Sequence, residues 1–212
     1  MGRNCKVQQL FFGSLLCKIE VLRFFCPTIA KPRTVSYNIM TEIIAKEKRI
    51  KELLNFGLPK VFLENIGNIP ELKHRIEDVD GAYFYLPTIL NYNILNGKQI
   101  VPIFDCGESF TVLIVDNETE RIIKFELEND QVYKNYEKNV DLMLMDIMID
   151  YFDDNIDNEI DLEKYISVGT RIGFEKSEKL FDLRNLSIDD YNSKSENIEN
   201  WRIEIAKELK IL

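Results

Sequence analysis

Gln99-Ile100-Val101-Pro102-Ile103-Phe104-Asp105-Cys106-Gly107-Glu108-Ser109-Phe110-Thr111-Val112-Leu113-Ile114-Val115-Asp116 is the stretch that decides the fold class. Gln99–Phe104 reads as a strand, and Pro102 within it favours an edge or a bulge because proline donates no ladder hydrogen bond. Asp105–Glu108 reads as a turn, since Gly107 reaches positive φ without steric penalty. Phe110–Val115 is β-branched and aromatic, as a second strand requires. The polar run Asp116-Asn117-Glu118-Thr119-Glu120 predicts a hairpin loop, and Arg121–Leu127 returns as a third strand. These three strands predict an antiparallel meander, with room for a mixed sheet.

Helical patterns flank the meander on both sides. Ile43, Ile44, Ile50, Leu53 and Leu54 recur among Lys and Glu, which predicts one helix over Thr41–Asn55, ended by Gly57 and Pro59. A short helix or turn is expected at Pro59–Ile66, a charged loop at 71–80, and a short β-prone run at Ala82–Leu86, stopped by Pro87. Downstream, Leu142, Met145, Met148, Ile149 and Phe152 fall on one face of a helix near Asn139–Phe152. Met143, Met145 and Met148 read as core packing, as do Phe110 and Phe125. The last segment is helical again, with Ser193 and Glu196 as a capping box and Ile198, Trp201, Ile205, Leu209 and Leu212 at helical spacing. Strands in the middle and helices at both ends predict an α+β fold, an antiparallel sheet flanked by helices with a C-terminal helical extension.

The chain of 212 residues is acidic, with a formal net charge of −9. Such a surface repels phosphate backbones, which argues against nucleic acid as a direct ligand, and suits a basic protein partner. The charge is uneven. Residues 1–39 hold six basic residues and one acid, Glu20, so the rest carries 21 basic and 35 acidic residues, a net of −14. In that first segment Leu10–Cys17 is apolar, but Lys18, Glu20 and Arg23 interrupt it. It is too short to span a bilayer, which needs roughly 20 apolar residues. Residues 1–39 read either as a stretch translated upstream of a true start at Met40, or as an amphipathic helix near 8–25. The expected organisation is therefore 1–39 as an N-terminal extension, 40–155 as the main domain and 156–212 as helices packed on it.

Little of the sequence points to catalysis. Cys5, Cys17, Cys26 and Cys106 form no C-x-x-C pair, and His74 is the only histidine, so zinc spacing is lacking. The cysteine pattern is that of reduced thiols in a cytoplasm rather than a secreted disulfide framework. No phosphate-binding loop, dinucleotide fingerprint or H-E-x-x-H occurs. Asp153, Asn155 and Asp157 match alternating ligand positions of a calcium loop, but Asn158 replaces the turn glycine and Lys164 stands where the bidentate glutamate belongs. The acidic loop reads instead as solvated, or as a docking patch. No catalytic residue, metal or cofactor is expected, nor a membrane or small-molecule partner.

The run Asn96–Phe110, followed by the hairpin Phe110–Asp116 and Arg121–Leu127, resembles the SUKH superfamily. That family joins fungal cell-wall-assembly regulators with bacterial immunity proteins, and its members carry an "IPI", an acidic residue and a Gly turn before a strand hairpin. Phe125-Glu126-Leu127-Glu128 is similar to the family's recurring strand end. Gly57-Leu58-Pro59, Phe62-Leu63 and Asn65-Ile66-Gly67 resemble its upstream region, with an isoleucine inserted between Asn and Gly. The resemblance spans about residues 40–155 and carries over no catalytic residue. Among bacteria it implies an immunity protein that binds and neutralises a partner toxin, often a nuclease. A nuclease holds phosphates on a basic face, which an acidic inhibitor complements. The candidate contact residues are Glu108, Glu118, Glu120, Asp153, Asp154 and Asp157. A regulatory scaffold of the cell-wall type and a hydrolase using carboxylates are the competing functions.

Overall fold

The computed structural model describes residues 40–116, 119–156 and 160–212. The readings made above for residues 1–39 fall outside them. In chain order the described elements are β1 (Glu42–Ile43), α1 (Lys46–Phe56), α2 (Lys60–Asn65), α3 (Asp80–Tyr85), β2 (Gln99–Cys106), β3 (Ser109–Asp116), β4 (Thr119–Glu126), β5 (Val132–Glu137), α4 (Val140–Asp153), α5 (Leu162–Ile172), α6 (Ser177–Arg184), α7 (Ile188–Ser195) and α8 (Ile198–Glu208). The strands form one sheet in the order β1-β2-β3-β4-β5. β1 runs parallel to β2 and every other neighbouring pair is antiparallel, so the fold is α+β with a mixed, mostly antiparallel sheet.

Alternation along the strands builds two buried faces. Phe110, Val112, Ile114, Ile123 and Phe125 face Ala82, Leu86, Ile89 and Leu95. Leu113 and Ile122 belong to the larger cluster on the opposite face, which includes Phe62, Leu144, Met148, Tyr165, Phe181, Trp201 and Ile205. Helices before and after the sheet thus share one core. α4 lies at its centre: ten of its residues are buried, including all three methionines, so it is apolar almost all round. Asn139 caps it by accepting from Leu142 N at 3.0 Å.

The β2–β3 turn is the two-residue loop Gly107-Glu108, with Cys106 facing Ser109 and Gly107 at φ +60°. Pro102 sits at the register shift between Pro102 and Phe104, as its missing N–H requires. β1 pairs only with Gln99 and Ile100. Beyond its end the side chain of Arg49, 5% exposed, takes over: Nε donates to Pro102 O at 2.6 Å and Nη2 donates to Ile103 O. A guanidinium thereby satisfies carbonyls that would otherwise lie unpaired at the sheet edge.

The structure departs from the sequence reading at five places. Thr41–Asn55 is not one helix, because Glu42 and Ile43 are recruited as β1 by the neighbouring edge of β2. Ala82–Leu86 is not a strand; most of it lies in α3. β5 was not anticipated, since Val132–Glu137 is an edge strand with polar residues and breaks of register. Ser193 is inside α7 rather than capping α8, whose cap is Asn197. Residues 71–80 are less open than their charge suggests, for Leu72, Ile76 and Val79 are buried beneath them.

Candidate functional site

The acidic residues singled out from the sequence do not form one patch. Glu118 and Asp157 lie outside the described residues. Glu108 is exposed at the β2–β3 turn. Glu120 stands near the start of β4, where it forms an ion pair with Lys138 at 3.2 Å. Glu126 and Glu120 mark opposite ends of β4, roughly 20 Å apart by strand rise. Ser109 pairs with Glu126 across the ladder, which places Glu126 beside the turn. Cys106, Glu108, Ser109, Glu126 and Glu128 line a depression of about 280 Å³. Glu108, Glu126 and Glu128 form no ion pair among the described residues. Tyr133, 49% exposed, adjoins Glu126 and Glu128.

The same end of the sheet carries α3. Asp105 pairs with Phe110 in the hairpin and its carboxylate accepts from Ala82 N, which holds α3 against the strand. Glu77 bridges to Asp105 through the backbone. On α3, Phe84 stands 73% exposed and meets Tyr85 edge to face, while Tyr85 packs towards Phe110. The exposed Tyr133 beside Glu126 and Glu128, carboxylates without ion-pair partners among the described residues, is the composition of a protein-binding surface.

Asp153 and Asp154 are engaged within the molecule. Asp154 accepts two hydrogen bonds from Arg75, at 2.7 and 2.5 Å, and this guanidinium holds its carboxyl below the usual range. Asp153 Oδ1 accepts from Arg184 Nη2 and from Tyr191 Oη, the latter at 2.7 Å. Asp146 accepts from Arg202, and Asp150 lies 4.0 Å from Arg75. Burial pushes the Asp150 carboxyl up. Along α4 these carboxylates recur at helical spacing, and each lies near a cation. The arrangement fastens α6, α7 and α8 to α4. It leaves Asp153 and Asp154 with less to offer a partner than their place in the sequence implies.

Arg184 is the centre of that ladder. It is 1% exposed, and its guanidinium carbon lies 3.9 Å from the Trp201 ring centroid and 5.1 Å from that of Tyr191. Its importance was not legible in the sequence, where it reads as one basic residue in a charged segment. Glu126 and Glu128 could have been found, because a two-residue turn at Gly107-Glu108 fixes which strand residues sit beside it. Among the described residues, no helix is long and apolar enough to cross a membrane. No family model, curated protein or solved structure matches this chain.

Proposed function

We propose that this chain is an interaction protein that binds and neutralises a basic protein partner, in the manner of an immunity protein against a toxin. The observation that carries the reading is the cluster of Glu108, Glu126 and Glu128 around one depression, without ion-pair partners among the described residues. Carboxylates left uncompensated on a protein of net charge −9 attract a basic face over a Debye length of about 8 Å at physiological salt. Tyr133 supplies exposed aromatic surface beside Glu126 and Glu128. The resemblance of the Asn96–Phe110 run and its hairpin to the SUKH superfamily supports the same role and a cytoplasmic site of action, where a toxin would be met.

The acidic residue of that run has a structural task. Asp105 is 2% exposed and is spent on α3, so the motif shapes the turn while Glu108 and its neighbours face outward. The test is binding kinetics with a basic toxin encoded beside this gene. Charge reversal of Glu108, Glu126 and Glu128 to Lys should slow association at low salt, whereas reversal of Glu120 at the far end should change it little. Equal effects at both ends would reject this surface.

A further inference from the structure

The C-terminal helices carry a second surface of different chemistry. α7 buries none of its residues, and Leu186 and Ile188 at its start are 38% and 66% exposed. Leu186 is a ridge between two grooves. The first, about 320 Å³, is walled by Phe152, Ile156, Leu186, Ile188 and Tyr191, with Arg184 in its lining. The second, about 380 Å³, is walled by Leu183, Leu186, Trp201 and Ile205, with Asp182, Glu204 and Glu208 at its rim. Lys194 also lines it, and pairs with Glu204 at 3.1 Å. Asp189 and Asp190 occupy the first turn of α7.

We infer that these two grooves are the anchoring half of the interface, and that they take apolar side chains from an amphipathic, lysine- or arginine-bearing segment of a protein partner. Three observations favour that occupant. Each groove is large enough for a Leu- or Phe-sized side chain. At the second groove the carboxylates Asp182, Glu204 and Glu208 outnumber Lys194, so an apolar segment flanked by positive charge fits and one flanked by negative charge is repelled. Leu186 and Ile188 stand exposed beside the grooves, so apolar side chains of the segment cover surface that otherwise meets water.

Arg184 lines both the first groove and a smaller polar cleft that includes Lys124, Lys134 and Ile198, and Glu126 lies two residues beyond Lys124 on β4. Charge at the sheet end governs how fast a partner arrives, and burial of apolar side chains in the grooves governs how long it stays. The inference rests on the binding role proposed above for the basic character of the partner.

The test titrates the full chain with a short amphipathic peptide of Leu and Lys, and with a peptide of equal charge in which Ser replaces Leu. Trp201, the only tryptophan, lines the second groove and reports by its fluorescence. The Leu/Lys peptide should bind saturably and at least about tenfold tighter than the Ser/Lys peptide. Ile188→Glu should weaken the Leu/Lys peptide by about tenfold although it adds negative charge. Attraction by charge alone would instead strengthen binding in that variant. Equal affinity for the two peptides, or unchanged or tighter binding to Ile188→Glu, overturns the inference. Neutralisation of a toxin in cells is a separate measurement, so either claim can fail without the other.

Discussion

The carboxylate of Asp105, 2% exposed, accepts a hydrogen bond from the backbone N–H of Ala82 at 2.7 Å. α3 has no side-chain cap of its own, so a residue from β2, 23 positions later, supplies one. Gly81 permits the approach, because a Cβ there would lie 3.0 Å from Asp105 Oδ2. A turn segment and a strand end are thus locked together by one buried anion.

Burial pushes the Asp105 carboxyl above its usual value; the Ala82 N–H opposes the shift, and the charges of Glu77, Asp78 and Asp80 add to it. A carboxyl raised in the folded state contributes stability that is complete below the unfolded pKa and is lost as pH rises through the folded one. Asp105→Asn removes the titration and keeps an acceptor for Ala82. The melting temperature of the variant should therefore gain on that of the wild type as pH rises from about 4 to 7. A constant difference across that range would show that Asp105 is not raised.

Gly81→Ala sets two effects against each other. Alanine in a helix gains up to about 1 kcal/mol over glycine. Displacing a buried carboxylate from its only backbone donor costs about 1–3 kcal/mol or more. The loss should win, and denaturant unfolding should show net destabilisation. Gly107 has open space around its α-carbon but φ +60°, so Gly107→Val should cost about 1–3 kcal/mol through backbone strain alone.

Two arginines that pair with neighbouring aspartates should behave differently. Arg184, 1% exposed, bonds Asp153 and Tyr191 and lies over Trp201. Arg184→Met should cost about 3 kcal/mol or more, since it strands partners in a buried network. The Arg75–Asp154 pair is 42% and 38% exposed, and Arg75→Ala should cost less than about 1 kcal/mol. Paired urea titrations of the two variants check this, and equal losses would contradict the role given to Arg184.

The hairpin was legible because β-branched alternation and a glycine turn are local signals, and both survive in β2, β3 and β4. The elements that were misread depend on distant partners. Ile43 looks helical beside Ile44, but the free edge of β2 at Gln99 and Ile100 claims it as a strand. Ala82-Tyr83-Phe84-Tyr85 looks β-prone, yet a carboxylate from Asp105 caps it as a helix. Of the candidate contacts, Glu108 was legible as a turn residue. The engagement of Asp153 with Arg184 spans 31 residues of chain, and no periodicity reports such a pair.

We propose that uncompensated charge at the β2–β3 turn recruits one basic toxin. That recruitment is measured by co-expressing this chain with a basic toxin encoded beside its gene, comparing wild type with the Glu108, Glu126 and Glu128 to Lys triple variant. The wild type should protect cells and form a complex whose association rate falls as salt rises, while the triple variant folds but associates roughly tenfold or more slowly at low salt. No protection and no complex with the wild type, or full association speed in the triple variant, would contradict it.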